Sequence, residues 1–175
     1  MPDPAPVVVR RAASADRDAL VRLWVVFMAE QAALDARVAP SDDAEPRWRA
    51  SLPDFFESGD LALFVGEVDG AVAGFLTAER YAAPPVYADV PGVYLNELYV
   101  VPDARRQGVA TALFSAARAW AESTGAGELR MGVLARNEAA RLLVEAWGAE
   151  AHAVTYAFAV VPTPREAAPR VRMGF

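Results

Sequence analysis

Apolar residues follow two different periodicities along this chain, and each periodicity predicts a different kind of element. Six segments are rich in β-branched or alternating apolar residues, a pattern typical of strands. They cover residues 7–11, 61–68, 71–79, 93–101, 129–134 and 154–160. Four other segments place apolar residues three and four positions apart, a pattern typical of helices packed by one face. They extend from Ser14 to Met28, over residues 48–56, from Val109 to Trp120 and from Asn137 to Trp147.

Turn-forming residues separate these segments. The pair Asp69-Gly70 lies between two strand segments and predicts a tight hairpin. Pro53 predicts a break in the short helix over residues 48–56, because proline has no N–H to donate. The remaining segments are predicted as loops or as a loosely held tail: residues 37–46, 83–92 and 162–175.

The resulting order, β-α-α-β-β-β-α-β-α-β, predicts one mixed α/β domain. A length of 175 residues also favours a single domain spanning residues 1–175. We expect the packed core to extend over about residues 7–161.

Composition excludes several classes of site. The chain has no cysteine, which excludes a disulfide framework. It has a single histidine, which argues against a His-rich zinc site and against a Ser-His-Asp relay. We expect no metal. The net charge of −6 argues against nucleic acid or a membrane surface as a partner. The chain shows neither an export signal nor a long apolar span, so we expect a cytoplasmic protein.

One segment combines features of an anion-binding site. A strand ends at Val101, two arginines follow at Arg105 and Arg106, and a helix begins after Gly108. The first turn of a helix leaves N–H groups without partners, and glycine lets a phosphate approach the backbone. The segment lacks the Gly-Lys-Ser/Thr of a P-loop and the G-x-G-x-x-G of a dinucleotide site.

Residues 105–110, RRQGVA, resemble the R/Q-x-x-G-x-G/A loop of the GNAT-type N-acetyltransferase superfamily. Residues 97–102, ELYVVP, are similar to the central strand of that family, and residues 137–140, NEAA, to the start of its late helix. The element order also resembles the family over most of the chain. The resemblance implies a mixed, mostly antiparallel sheet of about six or seven strands with about four flanking helices and splayed central strands.

The resemblance also implies a binding site for acetyl-CoA. The diphosphate would lie on the loop and helix start, and the pantetheine arm would pair with the central strand like an added strand. Asn137 matches an asparagine that lies near the pantetheine and the loop. The implied cofactor-binding residues are Leu98, Tyr99, Val100, Arg105, Arg106, Gln107, Gly108, Val109, Ala110, Thr111 and Asn137. A homodimer is a further possibility that the family suggests.

The implied reaction is transfer of an acetyl group from acetyl-CoA to a primary amine of a small molecule or peptide. Glu97 is our candidate for the base that takes the amine proton, because it is a charged residue inside an apolar strand. The alternative is a structural carboxylate that pairs with an arginine across the sheet. The N–H of Leu98 is a candidate donor to the oxyanion.

One position departs from the family pattern. Members that protonate the thiolate carry a tyrosine seven residues after the asparagine, where this chain has Val144. Tyr94 is our candidate replacement, with Tyr99 and Tyr156 as alternatives. A further alternative is that the thiolate leaves without a proton donor. Val144 also motivates a second hypothesis, a non-catalytic acyl-CoA-binding or regulatory module. A third hypothesis is a self-associating domain that uses the aromatic last strand and the tail.

The acceptor itself cannot be read from the sequence. Trp48, Phe55 and Phe56 are candidates to line its pocket, with core packing as the alternative for each of them.

Overall fold

The computed structural model describes residues 6–82 and 90–158, which form one five-stranded sheet with four α-helices. The strands are β1 (Val7–Arg11), β2 (Leu61–Val68), β3 (Ala71–Tyr81), β4 (Gly92–Val100) and β5 (Glu128–Met131). The helices are α1 (Arg17–Leu34), α2 (Ala44–Glu57), α3 (Val109–Ser123) and α4 (Glu138–Ala146). Short 3-10 turns lie at Ser14–Asp16, Ala36–Val38 and Pro102–Ala104. Across residues 6–82 and 90–158, no helix has the length and apolarity that crossing a membrane requires.

The strands lie in the sheet in sequence order, β1-β2-β3-β4-β5. Every neighbouring pair is antiparallel except β4 and β5, which are parallel. A parallel pair needs a crossover connection, and α3 provides it. The prediction of a mixed, mostly antiparallel sheet with four helices is therefore confirmed.

Each face of the sheet has its own core. Helices α1 and α2 cover one face, where the buried residues include Leu20, Phe27, Leu52, Val65, Phe75 and Tyr99. Helix α3 covers the other face, where the buried residues include Leu76, Val93, Leu95, Val109 and Leu113. We call these two sides of the sheet the α1/α2 face and the α3 face.

The hairpin predicted at Asp69-Gly70 is confirmed. Asp69 and Gly70 both have left-handed backbone angles, with φ of 52° and 76°. Two successive positive φ values define the turn whose twist matches the flanking strands. The hairpin places β2 and β3 side by side at the centre of the sheet.

Strand β4 contains a β-bulge at Asn96. Glu97 lies opposite Thr77, but the next residue of β3, Ala78, lies opposite Leu95. Asn96 is therefore an extra residue, and the alternation of side chains changes phase there. Leu95 packs on the α3 face, whereas Tyr94 and Glu97 both face the α1/α2 side. In a regular strand two residues three positions apart would face opposite sides, so the bulge is what brings Tyr94 and Glu97 to the same side.

Two predictions about the helical region are wrong. Pro53 does not break a helix but lies inside α2, which also starts earlier than expected, at Ala44. Leu52 is fully buried, and Trp48 and Phe55 pack against the same core. This packing on both sides of Pro53 holds the helix together despite the missing hydrogen bond.

The predicted last strand is also absent from the described residues. Residues 151–158 adopt no strand, and Val154, Tyr156 and Phe158 are 72%, 79% and 87% exposed. An alternating segment forms a strand only where it pairs with the edge of a sheet, and residues 151–158 do not pair with one. The described sheet consequently has five strands rather than six or seven. Val160, the predicted tail at 162–175 and residues 83–89 of the predicted connection lie outside the described residues.

Candidate active site

The carboxylate of Glu97 is surrounded by three hydrogen-bond donors. The indole N–H of Trp24 donates to Oε1 at 2.6 Å, and the indole N–H of Trp48 donates to Oε2 at 3.3 Å. The Thr77 hydroxyl donates to Oε2 at 3.0 Å from the adjacent strand. The two indole rings stack on each other with centroids 5.2 Å apart. Glu97 is thus held by side chains from α1, α2 and β3.

Burial dominates the electrostatics of Glu97. It raises the pKa of the carboxyl group above its ordinary value, because the charged form loses solvent. The hydrogen bonds from Trp24, Thr77 and Trp48 act in the opposite direction and favour the charged form. Within the described chain no arginine forms an ion pair with Glu97, so the alternative of a cross-sheet arginine pair does not apply there.

Strands β4 and β5 part beside Glu97. They pair only from Gly92 to Leu95 on β4, whereas β4 continues as far as Val100. The N–H of Val101 donates to the carbonyl of Ala73 at 2.9 Å, so by alternation residues 97 and 99 also bond to β3. The peptide groups of Leu98 and Val100 therefore point the other way, into the gap between β4 and β5.

The loop after β4 ends in a helix N-terminus at the end of this gap. Arg106 and Gly108 have left-handed backbone angles, with φ of 64° and 87°. The N–H of Ala112 donates to the Gly108 carbonyl at 2.9 Å as the first backbone bond of α3. The N–H groups of Val109, Ala110 and Thr111 consequently lie before the first N–H that has a partner within the helix. A Cβ added to Gly108 would meet no atom within 4 Å, so this side of the loop is open.

The two loop arginines have different surroundings. Arg105 donates from Nε to the Val100 carbonyl at 2.9 Å and forms an ion pair with Glu30 of α1 at 2.8 Å. Its guanidinium also lies over the Tyr99 ring, 5.7 Å from the centroid. Arg106 forms no ion pair or side-chain hydrogen bond with any residue in 6–82 or 90–158 and is exposed. Gln107 donates to the Asp103 carbonyl at 2.7 Å within the loop.

The other predicted site residues lie around the gap. Tyr99 is buried on the α1/α2 face, and Val109 is buried on the α3 face. Asn137 caps α4, its side-chain oxygen accepting from the N–H of Ala140 at 3.1 Å. The Trp147 indole contacts the hydroxyl of Thr111 at 3.4 Å, which joins the end of α4 to the start of α3.

Tyr94 lies one row of the sheet away from Glu97. It faces a cavity of about 350 Å³ lined by Glu79, Tyr81, Tyr94, Asn96 and Arg130. A Cβ added to Gly132 would lie only 2.7 Å from the Tyr94 hydroxyl. Because Gly132 directly follows β5, the hydroxyl reaches the place where β4 and β5 begin to part.

Sequence reasoning missed several of these residues. Trp24 lies in an apolar helical pattern that indicates core packing alone, and its hydrogen bond to Glu97 crosses 73 positions, which no local pattern reveals. Thr77 carried a usable signal, because it is a polar residue inside the apolar run of β3 and is fully buried. Glu79, Arg130 and Glu30 gave no signal in the sequence.

Comparison with known proteins agrees with this geometry. The family model of the acetyltransferase (GNAT) family matches residues 26–149. No curated protein sequence matches the chain.

Three solved structures illustrate the likeness in fold. The aminoglycoside N-acetyltransferase AAC(6')-Iy in complex with CoA has 22% identity and a TM-score of 0.71, covering 91% of this chain and 98% of that chain. A ribosomal-protein-alanine N-acetyltransferase from Brucella melitensis biovar Abortus 2308 has 19% identity and a TM-score of 0.65, covering 89% and 100%. A mutant protein from Bacillus halodurans has 15% identity and a TM-score of 0.77, covering 88% and 99%.

At these identities the structures establish the fold, whereas the family model spans most of the chain. The parted strands, the loop and the helix start all lie inside the matched range. The chain therefore belongs to the GNAT family of acetyltransferases.

Proposed function

We propose that this protein transfers an acetyl group from acetyl-CoA to a primary amine of a small molecule or peptide, with Glu97 as the general base. The observation that carries the proposal is the gap between β4 and β5. The Leu98 and Val100 peptide groups point into that gap directly beside the partly buried carboxylate of Glu97.

The gap and the loop are suited to coenzyme A. The Leu98 carbonyl and the Val100 N–H can bond to the amides of the pantetheine arm as a strand would, while the Val100 carbonyl is held by Arg105. The N–H groups from Val109 to Thr111 and the open side of Gly108 are suited to the diphosphate. Arg106 adds a positive charge that the described chain does not neutralise, and Asn137 lies at the start of α4.

Arg105 contributes in a different way. Its side chain already joins the Val100 carbonyl to Glu30 of α1. We assign it the role of holding the loop against the end of β4, so that the N–H groups keep their direction. Gln107, bonded to the Asp103 carbonyl, stiffens the same loop.

Glu97 is suited to accept a proton from the amine. Only the free amine can attack the thioester carbonyl, so a bound ammonium must first lose a proton. The raised pKa of Glu97 makes its carboxylate a stronger base than an exposed glutamate. Trp24, Trp48 and Thr77 fix its orientation and occupy three of the about four acceptor positions of a carboxylate, leaving one for the proton.

The remaining steps balance the reaction. The N–C bond forms first, which converts the thioester carbonyl into a tetrahedral oxyanion. The C–S bond breaks as this intermediate collapses, and the leaving thiolate takes up a proton. The N–H of Leu98 points into the gap and is suited to stabilise the oxyanion. We assign the proton donor to Tyr94, whose hydroxyl lies beside Gly132 at the mouth of the gap.

The test is acetyl-CoA turnover with a panel of amines, measured as free thiol, together with coenzyme A binding by calorimetry. We expect turnover, and we expect Glu97→Gln to reduce kcat by about a hundred-fold or more while coenzyme A affinity stays unchanged. Binding without turnover for any amine would favour the non-catalytic module instead. Absence of binding would overturn the proposal altogether.

A further inference from the structure

We propose that the acceptor carries a second cationic group besides the reacting amine, and that Glu79 is the residue that binds it. This inference rests on the proposed function, because it describes how the acceptor lies next to Glu97. It narrows the acceptor from any primary amine to a diamine or polyamine-like molecule.

The first argument is the position of Glu79 in the sheet. Glu79 lies opposite Tyr94, and Tyr94 lies opposite Arg130, so the three residues form one row across β3, β4 and β5. All three line the cavity of about 350 Å³ on the α1/α2 side. Thr77, which donates to Glu97, lies two residues from Glu79 on the same side of β3. Two strand residues span about 7 Å.

The second argument is charge. Arg130 is already paired with Glu128 at 2.7 Å, and its guanidinium lies over the Tyr81 ring, 5.4 Å from the centroid. The Tyr81 hydroxyl also donates to Glu128. Glu79, by contrast, forms no ion pair or hydrogen bond with any other residue of the described ranges. The cavity therefore presents the carboxylate of Glu79, which no residue of the described ranges neutralises, one row of the sheet away from Glu97.

The third argument is the degree of burial. Glu79 is half-buried, so a cation bound there is screened less than one at an open surface. Hydrogen bonds between charged groups are about twice as strong as neutral ones. An acceptor with cations at both ends can thus place one amine at Glu97 and the other at Glu79.

The experiment compares diaminoalkanes of increasing length with the monoamine of the same length. Thiol release is measured for the natural protein, Glu79→Gln, Glu79→Asp and the control Glu145→Gln on the exposed side of α4. We expect the natural protein to prefer one diamine over its monoamine by about ten-fold in kcat/KM. Glu79→Gln should remove this preference through KM, Glu79→Asp should retain part of it, and Glu145→Gln should leave it unchanged.

Several outcomes would overturn the inference. One is equal use of diamine and monoamine by the natural protein. A second is an equal loss for both amines in Glu79→Gln, which indicates a structural role. A third is preference for an acceptor with a carboxylate, lost in Arg130→Gln, which assigns specificity to Arg130. If no amine releases thiol, the proposed function fails, and calorimetry of the diamines with natural protein and Glu79→Gln decides the Glu79 site separately.

Discussion

Trp24 and Glu97 are separated by 73 positions in the chain, yet the Trp24 indole N–H lies 2.6 Å from the Glu97 carboxylate. Trp24 belongs to α1 and is buried against the sheet. The same side chain therefore belongs to the core and sets the environment of the candidate base. Because of this double role, the pH dependence of the reaction reports on the hydrogen bond between Trp24 and Glu97.

Replacing Trp24 by phenylalanine removes the N–H and keeps an aromatic ring. Because that hydrogen bond favours the charged carboxylate, its loss should raise the pKa of Glu97 further. Glu97 must be deprotonated to accept a proton, so kcat/KM falls as the pH drops through its pKa. The acid limb of the pH profile should then move to higher pH in Trp24→Phe. Trp120→Phe on α3 is the matched control and should leave the limb in place.

Gly132→Ala should displace the Tyr94 hydroxyl. The added Cβ would lie 2.7 Å from that oxygen, and the end of a tyrosine side chain can move at little cost in stability. If Tyr94 donates the proton to the thiolate, we expect kcat to fall about ten-fold or more, with an unchanged melting temperature. Tyr94→Phe should produce the same loss, and the two substitutions combined should lose no more than either alone. Full activity in Tyr94→Phe would remove this role from Tyr94.

Arg106→Ala should weaken coenzyme A binding about ten-fold, because a charge-assisted contact to the diphosphate is lost. Pantetheine has no diphosphate, so its affinity should not change in this variant. The control is Arg118→Ala, an exposed arginine on α3 that pairs with Glu122 at 3.1 Å. An equal effect of Arg106→Ala on coenzyme A and pantetheine would show that the loop does not bind the diphosphate.

Asp16→Asn should lower the free energy of unfolding by about 1–3 kcal/mol. Asp16 is buried, accepts two hydrogen bonds from Arg10 at 2.7 and 2.8 Å, and accepts a third from the Ala13 N–H. The hydrogen bonds from Arg10 lower the pKa of Asp16. A lowered pKa stabilises the fold above the unfolded-state pKa of about 3.9, and this stabilisation is lost as the pH falls through the folded-state pKa. Denaturant unfolding should therefore give a difference in the free energy of unfolding between natural protein and variant at neutral pH, and this difference should disappear in acid.

Local pattern predicted the elements whose signals are complete within a few residues. The Asp69-Gly70 hairpin and the start of α3 after Gly108 depend on backbone angles that particular residue types favour, and both are present. The helix around Pro53 and the unpaired segment from Val154 to Phe158 depend on what packs or pairs with them, which a local pattern does not contain.

The candidate site divides in the same way. The loop from Arg105 to Thr111 is continuous in sequence, so its residue types alone indicated an anion site. The surroundings of Glu97 come from α1, α2 and β3, and its partners become neighbours only through the tertiary fold. In the sequence Glu79 is a lone carboxylate near the end of a strand segment, which indicates nothing beyond a surface residue. Only the strand register brings it into one row with Tyr94 and Arg130.

The extra residue at Asn96 acts as a phase shift between two halves of one strand. Before it, odd-numbered side chains such as Leu95 face α3, and after it odd-numbered side chains such as Glu97 face α1 and α2. If β4 alternated regularly through all nine of its residues, Glu97 would turn into the apolar interior beneath α3 and Leu98 would face α1 and α2 in its place. The bulge, independently of any side chain's chemistry, determines whether the α1/α2 face carries a carboxylate or a hydrocarbon side chain at this point.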